Sequence, residues 1–161
     1  MTIAIELATT PSPEVMELLG ELDAALSGPY AADQRHALAI DQLFQPGISF
    51  FLARLAGSAV GCAGVALFPD YAELKRMYTK SAVRGRGVGK ALLGRIEAEA
   101  RQARAPVLRL ETGLYQHEAL RFYEGAGFLR CGPFGPYATM PARAIETSLF
   151  YEKPLYQLAS D

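Results

Sequence analysis

One run of eight residues, Val83-Arg84-Gly85-Arg86-Gly87-Val88-Gly89-Lys90, limits what this chain can fold into more than any other. It follows an extended stretch ending Leu74-Lys75-Arg76-Met77-Tyr78-Thr79 and runs into Ala91-Leu92-Leu93-Gly94-Arg95-Ile96, which has helical character. A strand, a glycine-rich turn and a helix start make an anion site. The glycines let the backbone come close, the first N–H groups of the helix lack internal partners, and the helix dipole favours negative charge. Arg84, Arg86 and Lys90 add positive charge in the same place. The predicted ligand is a phosphate or pyrophosphate.

Spacing narrows the choice. A Walker A loop needs a glycine where Arg84 stands and Ser or Thr after Gly89-Lys90, where Ala91 stands. A dinucleotide fingerprint needs a third glycine where Lys90 stands. What remains is Arg84-x-x-Gly87-x-Gly89, which resembles the pyrophosphate loop of the GNAT superfamily of acetyl-CoA-dependent N-acetyltransferases. A basic glycine turn that is merely solvated is the plain alternative, so the rest of the chain has to decide.

The chain has 161 residues, half of them hydrophobic and a fifth charged. That suits a single domain spanning residues 1–161 with a real core. A formal net charge of −1 gives no bulk attraction to nucleic acid or membrane, so the basicity near Arg84 is local. Cys62 and Cys131 form no C-x-x-C pair, and His36 and His117 lie far apart, so no metal site is expected. With no leader-like start and no long apolar run, a cytoplasmic protein with reduced thiols is expected. A homodimer is left open.

Alternation at Ile3, Ile5 and Leu7 predicts a strand. Ser12 as N-cap and Pro13 at the first helical position predict a helix carrying Val15, Leu18, Leu19, Leu22 and Leu26 to Ser27-Gly28-Pro29. A second, weaker helix is expected from about Gln34 to Phe44, with Leu38 and Leu43 inward. Ile48–Leu55 and Ala59–Phe68 read as a hairpin about Gly57-Ser58, and Tyr71–Thr79 as the strand before the loop. After the loop, Val88, Leu92, Ile96 and Ala100 share a helix face. Val107 to Thr112 is a strand, and a helix from about His117 to Ala126 ends at Gly127, a left-handed cap. Phe128–Cys131 and Glu146–Glu152 read as strands, with a loop at Gly132–Pro136 between them. The order β-α-α-β-β-β-α-β-α-β-β predicts an α/β fold, a mixed sheet covered by helices. The GNAT fold has this order, and the resemblance implies six or seven mostly antiparallel strands, a splayed centre and about four flanking helices.

The segment from Gln116 to Phe128 resembles the family's N-x-x-A-x-x-x-Y-x-x-x-G-F stretch, with Gln116 replacing the usual Asn. The resemblance implies acetyl-CoA as cosubstrate, held by backbone groups of Met77, Tyr78 and Thr79 and by the loop residues Arg84, Gly85, Arg86, Gly87, Val88, Gly89 and Lys90. Gln116 and Tyr123 would complete that set. It places Tyr123 near the departing sulfur; as a plain alternative, Leu120 and Tyr123 are simply core. A thiol has a reference pKa of ~8.5 and a tyrosine ~10, so full proton transfer is uphill by about 2 kcal/mol. Tyr123 would therefore act mainly by hydrogen bonding. An amine with a lysine-like pKa of ~10.4 also needs a base at neutral pH. Glu73 is one candidate, at a position where some family members carry a catalytic glutamate, and Glu111 is the rival. Strand alternation puts Glu73, Lys75 and Met77 on one face. An ion pair between Glu73 and Lys75 or Arg76 is the non-catalytic alternative.

Acceptor recognition would draw on Tyr30, His36, Phe134 and Tyr137, with Lys75, Arg76 and Arg109 as candidates for a carboxylate or phosphate on the acceptor. No acidic run awaits a basic protein tail. The expected reaction is N-acetylation of a small amine or amino acid by direct attack. A protein lysine or N-terminal acetyltransferase, and a non-enzymatic acyl-CoA-binding module, are the alternatives.

Overall fold

In a computed structural model, residues 2–156 are described; residue 1 and residues 157–161 of the expected domain lie outside them. The chain forms β1 (Ile3–Ala8), α1 (Pro13–Ser27), β2 (Ile48–Leu55), β3 (Ser58–Leu67), β4 (Ala72–Thr79), α2 (Val88–Gln102), β5 (Val107–Gly113), α3 (His117–Gly125), β6 (Leu129–Cys131), α4 (Ala142–Ile145) and β7 (Ser148–Pro154). The seven strands make one sheet in the order β1-β2-β3-β4-β5-β7-β6. Every neighbouring pair is antiparallel except β4 and β5. Those two run parallel and pair only at Ala72–Leu108 and Glu73–Arg109 before diverging. The splayed centre is therefore present.

The two faces of the sheet carry separate cores. On one, α1 lays Val15, Leu18 and Leu19 against Phe50, Leu52 and Cys62. Ser12 starts that helix, its Oγ accepting from the Val15 N–H at 3.3 Å. On the other, α2 buries Val88, Leu92, Leu93, Ile96 and Ala100 against Phe51, Val65, Leu74, Leu108 and Leu110, with Tyr123 and Phe128 alongside. The 3.6-residue pattern thus buries the helix stripes it predicts, and in β1 Ile3 and Ile5 pack on the core while Leu7 stays exposed.

Four expectations need correction. The helix expected over Gln34–Phe44 is absent; two 3₁₀ turns, Ala32–Gln34 and Asp41–Phe44, flank an irregular segment. Side chains compete with helical bonding there. Gln42 Oε1 accepts the Ala39 N–H at 2.9 Å, and Gln34 Nε2 donates 2.9 Å to Glu146 Oε1. The Gly132–Pro136 loop leads into a 3₁₀ turn at Gly135–Thr139 and into α4, and β7 begins at Ser148 rather than Glu146. The hairpin turn is Ala56-Gly57, both residues at positive φ as a type I′ turn requires.

The fourth correction is in β4. Lys75 pairs with Gly64 and Tyr78 with Cys62, so two residues of β4, Arg76 and Met77, oppose one of β3. This is a β-bulge, with Arg76 at φ +54°. It reverses the alternation. Arg76 stays on the face of Glu73 and Lys75 and reaches Asp23 of α1, whereas Met77 crosses to pack with the α2 core. A non-glycine residue held in this conformation costs about 1–3 kcal/mol.

Candidate active site

Two openings meet at the gap between β4 and β5. The larger is a cleft of about 780 Å³ running from Met77, Tyr78 and Thr79 across the glycine loop to the first turns of α3. Gly85 and Gly87 sit at φ +81° and +87°, and Gly87 is the N-cap of α2. The Arg84 and Arg86 N–H groups bond to the Ser81 and Val83 carbonyls, and Ala91 N–H to Gly87 C=O. The N–H groups of Val88, Gly89 and Lys90 are then the helix's first ones, which have no intrahelical acceptor. An added Cβ on Gly89 would meet Phe122 at 3.4 Å and the Met77 methyl at 3.6 Å, so the missing side chain keeps this wall low. These features fit a pyrophosphate.

The basic side chains are less uniform than the loop suggests. Arg84 donates to the Thr79 carbonyl and to Glu118, each at 3.2 Å, across the mouth of the cleft. Lys90 lines the cleft, and Arg86 lies outside it. Past Glu73, the β4 edge facing β5 has no strand partner among the described residues. The side chain of Tyr78 turns away to Glu21 of α1 at 3.0 Å, so Tyr78 presents backbone to the cleft. Gln116 takes the N-cap position of α3 without capping it through its side chain.

The smaller opening is a cavity of about 150 Å³ on the α1 face, walled by α1, the irregular segment after Tyr30, β4, β5 and Tyr137. Glu73 is 2% exposed. Its Oε2 accepts from Tyr137 Oη at 2.7 Å and lies 2.8 Å from Lys75 Nζ, which also donates 2.9 Å to Tyr137 Oη. The three groups close a ring of hydrogen bonds that holds the carboxylate's charge. Glu111, opposite, is held on one oxygen by Ser148 Oγ at 2.7 Å. Burial pushes its carboxyl above the ordinary range, against the opposing pull of that hydroxyl and of His36 and Lys75.

The remaining expected acceptor residues divide. His36 lines the cavity with its Nε2 2.7 Å from the Ala144 carbonyl, so the irregular segment is clipped to α4. Tyr30 lines it too, but as a strut: its Oη accepts the Tyr115 N–H at 2.8 Å and sits where a Cβ on Gly113 would be. Arg76 lines it with a side chain 4% exposed. Arg109 and Phe134 stand outside, Arg109 stacking over Tyr71 and Phe134 and pairing with Glu152 at 3.2 Å.

Cleft and cavity share Leu22, Met77, Gln116, Ala119 and Tyr123. The helix end fixes Tyr123. Phe128 N–H bonds to Tyr123 C=O and Gly127 N–H to Glu124 C=O, each at 3.1 Å, with Gly127 at φ +97°. The Tyr123 and Phe128 rings meet edge to face at 5.7 Å across this Schellman cap. Tyr123 is 7% exposed, and burial, then the charge of Glu111, pushes its hydroxyl well above the ordinary tyrosine value. Cys62 is fully buried, with burial pushing its thiol up to about 12, which disqualifies it as a nucleophile. Sequence reasoning missed Ser148, Leu22, Leu26 and Ala119. Ala119 was readable in the Gln116–Phe128 segment; Ser148 carries no local signal.

The acetyltransferase (GNAT) family profile matches residues 15–128. The IAA acetyltransferase of Azospirillum brasilense is 43% identical over 143 residues, covering 88% of this chain and 90% of its own. A Klebsiella pneumoniae protein provisionally described as an acyl-CoA N-acyltransferase superposes with a TM-score of 0.77 at 32% identity, over 96% of this chain and 99% of that one. The PaiA N-acetyltransferase of Thermoplasma acidophilum, solved with coenzyme A, shares the fold at a TM-score of 0.69 and 18% identity, over 96% and 99% of the two chains.

Proposed function

The chain belongs to the acetyltransferase (GNAT) family, and we propose that it transfers acetyl from acetyl-CoA to a small primary amine bound in the α1-face cavity. The observation that carries this reading is the junction of the two openings at Met77, Gln116, Ala119 and Tyr123. One opening suits a long phosphorylated donor, the other a small acceptor, and they meet at a buried hydroxyl. A volume of about 150 Å³ supports a small molecule over a polypeptide tail.

Acetyl-CoA, when bound, supplies an activated acetyl thioester. The glycine loop and the start of α2 would hold its pyrophosphate, and the unpaired β4 edge at Met77 to Thr79 would align its arm as an added strand does. A backbone N–H on that edge, aimed at the acetyl oxygen, would stabilise the charge developing there. Glu111 takes the amine's proton in this reading. It has one oxygen on Ser148, a carboxyl that burial raises above the ordinary range, and a place beside Tyr123. Glu73 is ion-paired with Lys75 and accepts from the Tyr137 hydroxyl, which suits it to hold the cavity wall. Tyr123 keeps its proton and donates a hydrogen bond to the sulfur, since its raised pKa makes full transfer still more uphill than for an ordinary tyrosine.

The test is thiol release from acetyl-CoA across a panel of amines and amino acids, with IAA included because of the Azospirillum relative's name. Turnover with a small amine, abolished in Glu111→Gln and retained in part in Glu73→Gln, is expected. Coenzyme A binding without turnover of any acceptor would refute the proposal.

A further inference from the structure

The acceptor cavity is lined by both an acidic and a basic group that the acetyl transfer does not pair, and that combination names a class of amine. Glu111 acts on Tyr123 at the junction and has an oxygen not engaged by Ser148. Arg76 and Arg35 line the same cavity and supply cations. Lys75 does not count among them, because Glu73 and Tyr137 already hold its ammonium.

Arg76 is in a different state. Its Nη1 donates to Asp23 at 2.6 Å, while its Nε is buried and has no hydrogen-bond partner among the described residues. A guanidinium has five N–H donors and nothing to accept with, so one partner leaves it short. The Nε–Nη2 edge is the fork that takes a carboxylate through two parallel bonds. The bulge is what keeps the Arg76 side chain on this face of the sheet. With ordinary alternation Arg76 would point into the apolar core under α2, and only its φ of +54° keeps it on the cavity face. Backbone strain of this kind gathers at ligand sites. Arg35 is exposed at the rim. Leu22, Leu26 and Leu38 line the remaining wall, and a cavity of about 150 Å³ is below the ~300–1,000 Å³ that drug-sized ligands occupy.

Resting on the acetyl-transfer reading above, we infer that the acceptor is a free amino acid with an apolar side chain, its carboxylate on the Arg76 fork and its amine toward Glu111. Arg35 closes over the carboxylate at the rim, and the leucines receive the side chain. The site thus selects acceptors by an anion that takes no part in the chemistry.

Matched sets test this: leucine, methionine and phenylalanine, each beside its amide and its decarboxylated amine, assayed by thiol release. Each acid is expected to exceed its two partners in kcat/KM by about 30-fold or more, the range for hydrogen bonds to a charged group. Arg76→Lys keeps the charge but loses the fork, and is expected to bring each acid down toward its amide through KM, with the KM for acetyl-CoA unchanged. Arg35→Gln, at an exposed position, is expected to lower the preference about fivefold, and it keeps the test sharp if Arg76 variants fail to fold. Amines and amides acetylated as well as acids would overturn this inference and leave the acetyl-transfer reading standing. So would full acid preference surviving in folded Arg76→Lys, or in Arg35→Gln where that is the only variant to fold. No turnover of any amine would remove both.

Discussion

Gly113→Ala isolates the strut that joins the acceptor wall to the end of β5. A Cβ at Gly113 would lie 2.0 Å from Tyr30 Oη, 2.2 Å from Cζ and 2.8 Å from Cε1. Ordinary contact begins near ~3.5 Å, so the ring must retreat by about 1.5 Å. Tyr30 is 5% exposed and has little room for that. Gly113 does not need a left-handed backbone, so contact rather than strain sets the cost. Overpacking of this kind costs about 1–3 kcal/mol. Losing the 2.8 Å bond from Tyr115 N–H to Tyr30 Oη adds about 1 kcal/mol. The total of about 2–4 kcal/mol corresponds to a fall of about 10 °C in Tm for a chain of this length. The assay is a double-mutant cycle by urea and thermal unfolding. With Tyr30→Ala already made, the space is empty and Gly113→Ala should cost under about 0.5 kcal/mol, leaving a coupling of about 2 kcal/mol or more. An equal cost in both backgrounds would refute the steric argument.

Tyr123→Phe should lower kcat by about 10²-fold or more while the KM for acetyl-CoA stays within about twofold; an unchanged kcat would remove the hydroxyl from the chemistry. Ser148→Ala deletes the hydrogen bond that lowers the Glu111 carboxyl, so that carboxyl should rise further. The acid limb of the kcat/KM profile should then move to higher pH, and a limb that stays put or moves down would contradict the assignment of Glu111 as base. Since the folded Glu111 carboxyl lies above its unfolded value, its linkage term favours folding at low pH and fades as pH rises through the folded pKa. Glu111→Gln should therefore raise stability relative to wild type above that pKa, with the gain shrinking in acid, as urea midpoints across pH would show. Gly87→Ala places a side chain at φ +87°, a strain of about 1–2 kcal/mol where the cleft meets α2. The KM for acetyl-CoA should rise about fivefold or more with the acceptor KM unchanged, and equal rises in both would point to general unfolding.

What the sequence made legible was local. Ser12-Pro13, the α1 leucines and Gly127 each act within a few residues, and each does in the structure what its spacing predicts; in β1 Ile3 and Ile5 pack on the core, but Leu7 is left exposed. The missed features depend on distant partners. Gln34 and His36 draw the chain out of a helix by reaching residues 108–112 positions away. Glu73 is held by Tyr137, 64 residues on, and Glu111 by Ser148, 37 residues on. The β4 bulge did leave a trace. Strict alternation through Ala72 and Leu74 puts Arg76 in the apolar core, and that conflict is resolved by one extra residue in the strand. Arg109 shows the opposite case, a charge that reads as a binding group and instead stacks on Tyr71 and Phe134 behind the cavity.

The two rungs at Ala72–Leu108 and Glu73–Arg109 have a further consequence. They are the only ladder joining β1–β4 to β5–β7 among the described residues, so the sheet is two cooperative blocks meeting along a seam. Backbone amides on the β4 side of that seam, from Leu74 onward, should exchange with solvent deuterium well before those inside either block. On the proposed reading a donor lying in the seam would bridge the blocks and act as a folding ligand: at a concentration 100 times its Kd it would add about 2.7 kcal/mol to stability. Saturation with coenzyme A should slow exchange at Met77 to Thr79 and raise Tm with the logarithm of ligand concentration, so that occupancy of the site is itself read out as the rigidity of the whole sheet.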